Sequence, residues 1–133
     1  MSIQLAMVGI VVSDMAKSLE FYRRLGLDIP AGEEARRFVM HRMPSGVTLF
    51  FDTFFTAAND PARIPSPRGQ YNIMLEFYAE TRERVDALYE SLTGYGYTSR
   101  HAPWKSDGPY AALIEDPDGN SILITAEDAS AVI

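Results

Sequence analysis

The chain has 133 residues, 18 acidic and 12 basic, so it carries a net charge of −6, and 47% of it is hydrophobic. A chain of this size can withdraw roughly two-thirds of its unfolded surface from water, which suits one compact domain or two small halves sharing a core and excludes a disordered segment. With no cysteine it can form no disulfide, thiolate zinc site or iron–sulfur cluster, and with no Lys/Arg cluster it lacks the phosphate-tracking surface of a nucleic-acid binder.

Leu5 to Val12 is an almost continuous apolar run rich in β-branched residues, which predicts a strand buried on both faces. Ser13-Asp14 supplies helix-capping chemistry. Met15, Leu19, Tyr22 and Leu25 then recur at three- and four-residue spacing before Gly26 offers a left-handed stop. Leu27-Asp28-Ile29-Pro30 reads as a short extended piece. Two further strands are expected over Arg37 to Met43 and from Val47 to about Phe51, joined by the turn Pro44-Ser45-Gly46.

Thr56 to Gln70, with Pro61, Pro65 and Pro67, reads as an irregular connection. The pattern then restarts. Tyr71 to Tyr78 alternates like a strand, and Thr81 can cap a helix striped with Val85, Leu88 and Leu92 and ending at Gly94. Tyr97 to Trp104, Tyr110 to Glu115 and Ser121 to Thr125 follow as extended segments, the last two joined by Asp116-Pro117-Asp118-Gly119-Asn120. The halves share a βαβββ order, and Pro44-Ser45-Gly46 matches Pro117-Asp118-Gly119 in type and place, so the chain reads as an internal duplication. The expected fold is α+β. One domain is built from two tandem βαβββ modules, about residues 3–55 and 71–127 with a linker over 56–70, their sheets curving around a shared cavity with the helices outside.

No apolar run approaches the roughly 20 residues of a membrane span, and Met1-Ser2-Ile3-Gln4-Leu5 lacks the basic lead of a secretion signal. A cytoplasmic protein without a membrane partner is expected. Up to Asp60 the chain has 6 bases and 7 acids, and beyond it 6 bases and 11 acids, so the second half is the one that would draw a cationic ligand.

Two stretches carry a family likeness: Val8-Gly9-Ile10-Val11-Val12-Ser13-Asp14-Met15 with Ser18-Leu19-Glu20-Phe21-Tyr22 and Leu25-Gly26-Leu27, and Ile114-Glu115-Asp116-Pro117-Asp118-Gly119-Asn120. Over nearly its whole length the chain resembles the vicinal oxygen chelate superfamily, which includes glyoxalase I, extradiol dioxygenases, fosfomycin-resistance enzymes and bleomycin-resistance proteins. Metal-dependent members place a His near the first strand of each half and a carboxylate in each last strand. Carried onto this sequence, those positions fall on Met7, Asn72, a residue within Leu49-Phe50-Phe51, and Leu123. None is His, Glu or Asp, so neither the usual metal nor any other cofactor is expected. His41 and His101, with Glu76 or Glu115, are the only materials for an unorthodox 2-His-1-carboxylate site.

If Met7 looks into the cavity, alternation sends Gly9 and Val11 inward and packs Val8, Ile10 and Val12 on a helix. The same rule turns Asn72, Met74 and Glu76 inward, with Tyr71, Ile73, Leu75 and Phe77 as core, and in the last strand turns Ser121, Leu123 and Thr125 inward. Phe50-Phe51-Asp52-Thr53-Phe54-Phe55 holds more rings than one half-buried strand can seat, so some, Phe51 among them, are expected to line the cavity, to plug a dimer interface, or both. Trp104, the single tryptophan, leads into Lys105-Ser106-Asp107-Gly108, a loop by composition, and suits stacking on a planar ligand. The expected ligand-binding set is thus Met7, Gly9, Phe51, Asn72, Met74, Glu76, Trp104 and Leu123.

Pro103-Trp104, the apolar strand after it, and Gly46-Val47-Thr48-Leu49-Phe50 resemble the bleomycin-resistance branch. That likeness implies a metal-free homodimer that sequesters a planar, cationic antibiotic or metabolite and performs no catalysis. The alternative is a superfamily enzyme, a lyase or dioxygenase, with displaced ligands or with Glu76 as a general base. Neither a Gly-rich phosphate loop nor a local Ser-His-Asp signature is present.

Overall fold

Asp14 starts the first helix: its backbone is extended, and its carboxylate accepts the Lys17 N–H. The computed structural model describes residues 3–63 and 73–127. They divide into two compact units, Met1–Pro65 and Ser66–Ile133. In the first, β1 (Val8–Val11), α1 (Met15–Leu25), β2 (Phe38–Arg42), β3 (Thr48–Asp52) and α2 (Phe55–Asn59) follow in order. In the second come β4 (Met74–Glu80), α3 (Arg82–Gly94), β5 (Ser99–Lys105), β6 (Tyr110–Glu115) and β7 (Ser121–Ala126). The fold is α+β, with two βαβββ-like modules and a mixed sheet in each. No helix among the described residues is long and apolar enough to cross a membrane.

The first sheet has the order β1-β3-β2, with β1 parallel and β2 antiparallel to β3. Its buried face carries Ile10, Leu49, Phe51 and Val39, and Tyr22 of α1 meets Phe51 with ring centroids 5.1 Å apart. The strand expected from Leu5 begins only at Val8, which is where β1 first pairs with β3, at Leu49. Nor is β1 buried on both faces: Ile10 is covered while Val11 is exposed.

Leu27 to Pro30 forms no strand, so this unit has three strands among its described residues. The reason lies in Arg23, whose guanidinium donates to the carbonyls of Ile29 (2.9 Å) and Pro30 (2.5 Å) and to Glu34 Oε1 (2.6 Å). Carbonyls satisfied by a side chain need no neighbouring strand. Arg23 also holds the Glu34 carboxyl below the usual carboxylate range. The segment from Thr56, read as irregular, opens as helix α2; residues 64–72 lie outside the described ones.

The second sheet has the order β4-β7-β6-β5, with β4 parallel to β7 and the remaining pairs antiparallel. Thr81 caps α3 by accepting the Arg84 N–H, and the helix buries Val85 and Leu92 with Leu88 half-buried. The helix ends at Gly94, as its sequence implied, and the left-handed turn after it falls at Gly96, with φ 98°. Three contacts identify the sheet face that α3 covers. Tyr110 donates to Asp86 at 2.6 Å, Arg82 lies 4.8 Å from the Tyr110 ring centre, and Tyr89 and Ser99 share a hydrogen bond of 2.7 Å. Ile122 and Ile124 of β7 are wholly buried. Ile73, expected in the core, is 78% exposed, because β4 starts pairing only at Met74.

Candidate functional site

Each sheet turns one face away from its helix, and the expected site residues are best placed against those two faces. In the first unit the face opposite α1 carries Gly9 and Val11 of β1, Phe50 and Asp52 of β3, and Phe38 and Met40 of β2. Met7, just before β1, is 38% exposed. A Cβ placed on Gly9 would stand 2.1 Å from Phe50 Cζ, so the room this glycine leaves is filled by the Phe50 ring. Phe50 also stacks on Phe38, centroids 5.3 Å apart and planes 26° from parallel.

Phe51 is not on this face. It is wholly buried under α1 against Tyr22, because the register pairs Gly9 with Phe50 and Ile10 with Phe51. The expectation for Phe51 was off by one residue, and one residue turns a strand side chain to the opposite face. Phe54 and Phe55 lie exposed around the start of α2, Phe54 beneath the Arg37 guanidinium at 4.7 Å.

In the second unit the face opposite α3 carries Met74, Glu76 and Tyr78 of β4, with Ser121, Leu123 and Thr125 of β7 beside them. Thr125, itself 1% exposed, donates from Oγ1 to Glu76 Oε2 at 2.9 Å. Glu76 is exposed, so it lacks the apolar enclosure a buried general base would have. Arg100 donates to Ser121 Oγ at 3.1 Å and lies 3.8 Å from Glu115 Oε2, both members of this ion pair being largely covered.

Trp104 sits near the end of β5, as the extended segment from Tyr97 implied, and after it Ser106 holds the turn by donating to the Pro109 carbonyl and accepting the Gly108 N–H. Trp104 comes three positions after His101, and strict alternation would put them on opposite faces. The register shift between them cancels that: His101 pairs with Leu113 and Trp104 with Ala111, both on the face turned from α3. The two rings lie 3.8 Å apart, and His101 Nδ1 is 2.6 Å from the Ala102 carbonyl. Because a carbonyl only accepts, Nδ1 carries the proton and Nε2 is the lone-pair nitrogen of the neutral ring. Sequence reading missed Phe50, for which the strand register was needed, and the anchoring role of Thr125, which stands two residues from Leu123 and was legible by parity.

The donors for a resident metal do not fit. Met7 and Leu123 offer no nitrogen or oxygen side-chain donor, and Leu49 and Phe51 are buried on the helix side. Asp52, on the outer face, accepts the Phe54 N–H at 2.7 Å. Asn72 lies outside the described residues. His41 pairs with the buried Leu49 on the α1 side of its sheet. Among the described residues no three His, Cys, Asp or Glu gather as a metal-holding group.

Known proteins share this architecture. The hypothetical protein SA1046 of S. aureus superposes with a TM-score of 0.76 at 24% identity, covering 94% of each chain. A glyoxalase/bleomycin resistance protein/dioxygenase family enzyme from Burkholderia phytofirmans PsJN gives 0.74 at 21%, over 91% of this chain and 96% of that one. A glyoxalase/bleomycin resistance protein from Albidiferax ferrireducens T118 gives 0.70 at 25%, over 93% and 98%. The uncharacterized protein YqjT of Bacillus subtilis is 39% identical over 56 residues, a match that takes in 39% of this chain and 44% of that protein. The Glyoxalase/Bleomycin resistance protein/Dioxygenase superfamily matches residues 4–124, from before β1 into β7, and the chain belongs to that superfamily.

Proposed function

We propose that this protein binds a small organic molecule against the sheet face turned from α3, and does so without a resident metal ion. The observation that carries the reading is the side-chain chemistry at Met7 and Leu123: a thioether and a hydrocarbon occupy positions where metal-dependent relatives need imidazole and carboxylate. Such a protein can hold a guest but cannot polarise it through an ion. Exposed Met74 and Tyr78, the His101–Trp104 pair and the Glu76 carboxylate, all in the second unit, suit a ligand that is planar and cationic. Sequestration of such an antibiotic or metabolite, as the bleomycin-resistance likeness implies, is the form of binding proposed. The exposed apolar side chains of Phe38 and Met40 on β2, with Val11 on β1 of the same face, support self-association into a homodimer, since exposed apolar faces mark interfaces.

Elemental analysis of the purified protein, with a thermal-shift screen, tests this. Divalent metals are expected to leave the midpoint unchanged, while a planar cation at 100 times its Kd adds roughly 2.7 kcal/mol to apparent stability. Stoichiometric bound metal overturns the proposal. Acid–base chemistry at Glu76 is the second reading, favoured by the Thr125 hydrogen bond that orients its carboxylate.

A further inference from the structure

Glu76, Leu123, Leu113 and His101 are successive cross-strand partners on β4, β7, β6 and β5, and they share the face turned from α3. Strands in a sheet lie about 4.8 Å apart, so this row runs roughly 14 Å from carboxylate strand to imidazole strand. Side chains stand close to perpendicular to a sheet, so the polar ends keep that separation instead of converging.

The two ends differ in chemistry. Glu76 is exposed, and the covered Thr125 hydroxyl fixes Oε2, leaving Oε1 turned to a ligand's charge. At the far end the His101 ring is held twice, by Trp104 at 3.8 Å and by the Ala102 carbonyl at 2.6 Å, with Nε2 as acceptor. Between them Leu123 is half-buried and Leu113 is 7% exposed, an apolar floor. Arg100 and Glu115 offset each other on the same face, so Glu76 is the carboxylate that a cation meets along this row.

Resting on the small-molecule reading, we propose that the ligand is two-ended. A protonated amine or amidinium pairs with Glu76, an apolar tether crosses Leu123 and Leu113, and a planar ring bearing an N–H or O–H packs on the His101–Trp104 pair and donates to His101 Nε2. Charge complementarity selects the first end, and the fixed tautomer of His101 selects a donor at the second.

Trp104 is the chain's single tryptophan, so its emission reports on that end directly. The probes are hydroxyphenyl-alkylamines of increasing polymethylene length and the matching uncharged hydroxyphenyl-alkanols, followed by calorimetry and Trp104 emission. Affinity is expected to peak where amine and ring stand on the order of 10 to 14 Å apart. Glu76→Gln should cost the amines about tenfold and leave the alkanols unchanged. Glu76→Asp should move the optimum to a longer tether, a shift that a merely misfolded variant would not produce. Affinity independent of tether length, or equal losses for amine and alkanol in Glu76→Gln, overturns the two-ended ligand while the small-molecule reading stands. Failure of every probe to bind overturns it as well, and the broader reading then falls only if the thermal-shift screen also finds no ligand.

Discussion

Phe50 and Phe51 are chemically identical neighbours with opposite tasks. Phe51 is a core ring without exposure, packed on Tyr22, whereas Phe50 is half-buried and lies across Gly9. Phe51→Ala should therefore cost roughly 3–5 kcal/mol, and Phe50→Ala clearly less, when both are measured by urea unfolding. Gly9→Ala places a methyl group where the Phe50 ring tip sits, forcing the ring off Gly9 and out of its stack on Phe38. A loss of about 1 kcal/mol is expected, and it should disappear in a Phe50→Ala background. Equal effects of Gly9→Ala in both backgrounds would show that the close approach does not set the cost. The glycine was legible in the sequence, but its tenant was not: which of two adjacent phenylalanines meets Gly9 depends on how β1 registers against β3.

At the scale of elements, caps and periodicity are local signals and were read well. Asp14 and Thr81 cap their helices, and Gly26, with φ 125°, closes α1. What ties α3 to its sheet was not readable, because Tyr110 and Asp86 are 24 residues apart. The Asp86 hydrogen bond, followed by partial burial and the Asp86 charge, raises the Tyr110 phenol above its ordinary value near 10. The folded chain thus holds that proton more tightly than the unfolded chain. The resulting stabilisation is complete below about pH 10 and is lost as pH climbs through the raised value. Tyr110→Phe should lower stability by about 1 kcal/mol at neutral pH and flatten the alkaline decline. Some slope should remain, since Tyr78 is also raised, by desolvation and by the neighbouring Glu127. Chemical denaturation between neutral pH and about pH 11 reads both effects. The β5 shifts belong here too. Alternation separates His101 from Trp104, and only the pairing with β6 returns them to one face.

Across the whole molecule the duplicated order β-α-then-strands was visible in the sequence, and the second unit follows it in full. The first departs from it where Arg23 takes the carbonyls that a strand would have used. Its outer face leaves Met40 56% exposed beside Phe38 and Val11. If that face joins two copies, Met40→Lys should shift the molar mass measured by light scattering from dimer to monomer with little change in secondary structure. A monomeric parent protein would remove the dimer from the proposal.

The sequence by itself determined the family, the two-helix duplicated plan, the turns and the absence of ligating side chains at Met7 and Leu123, because composition, periodicity and capping act over a few neighbouring residues. Tertiary structure alone decided which phenylalanine is core, that His101 and Trp104 form a pair, and that Glu76 stands in line with His101 across the sheet. Those outcomes depend on strand register and bulges, which are set by a partner strand distant in the chain.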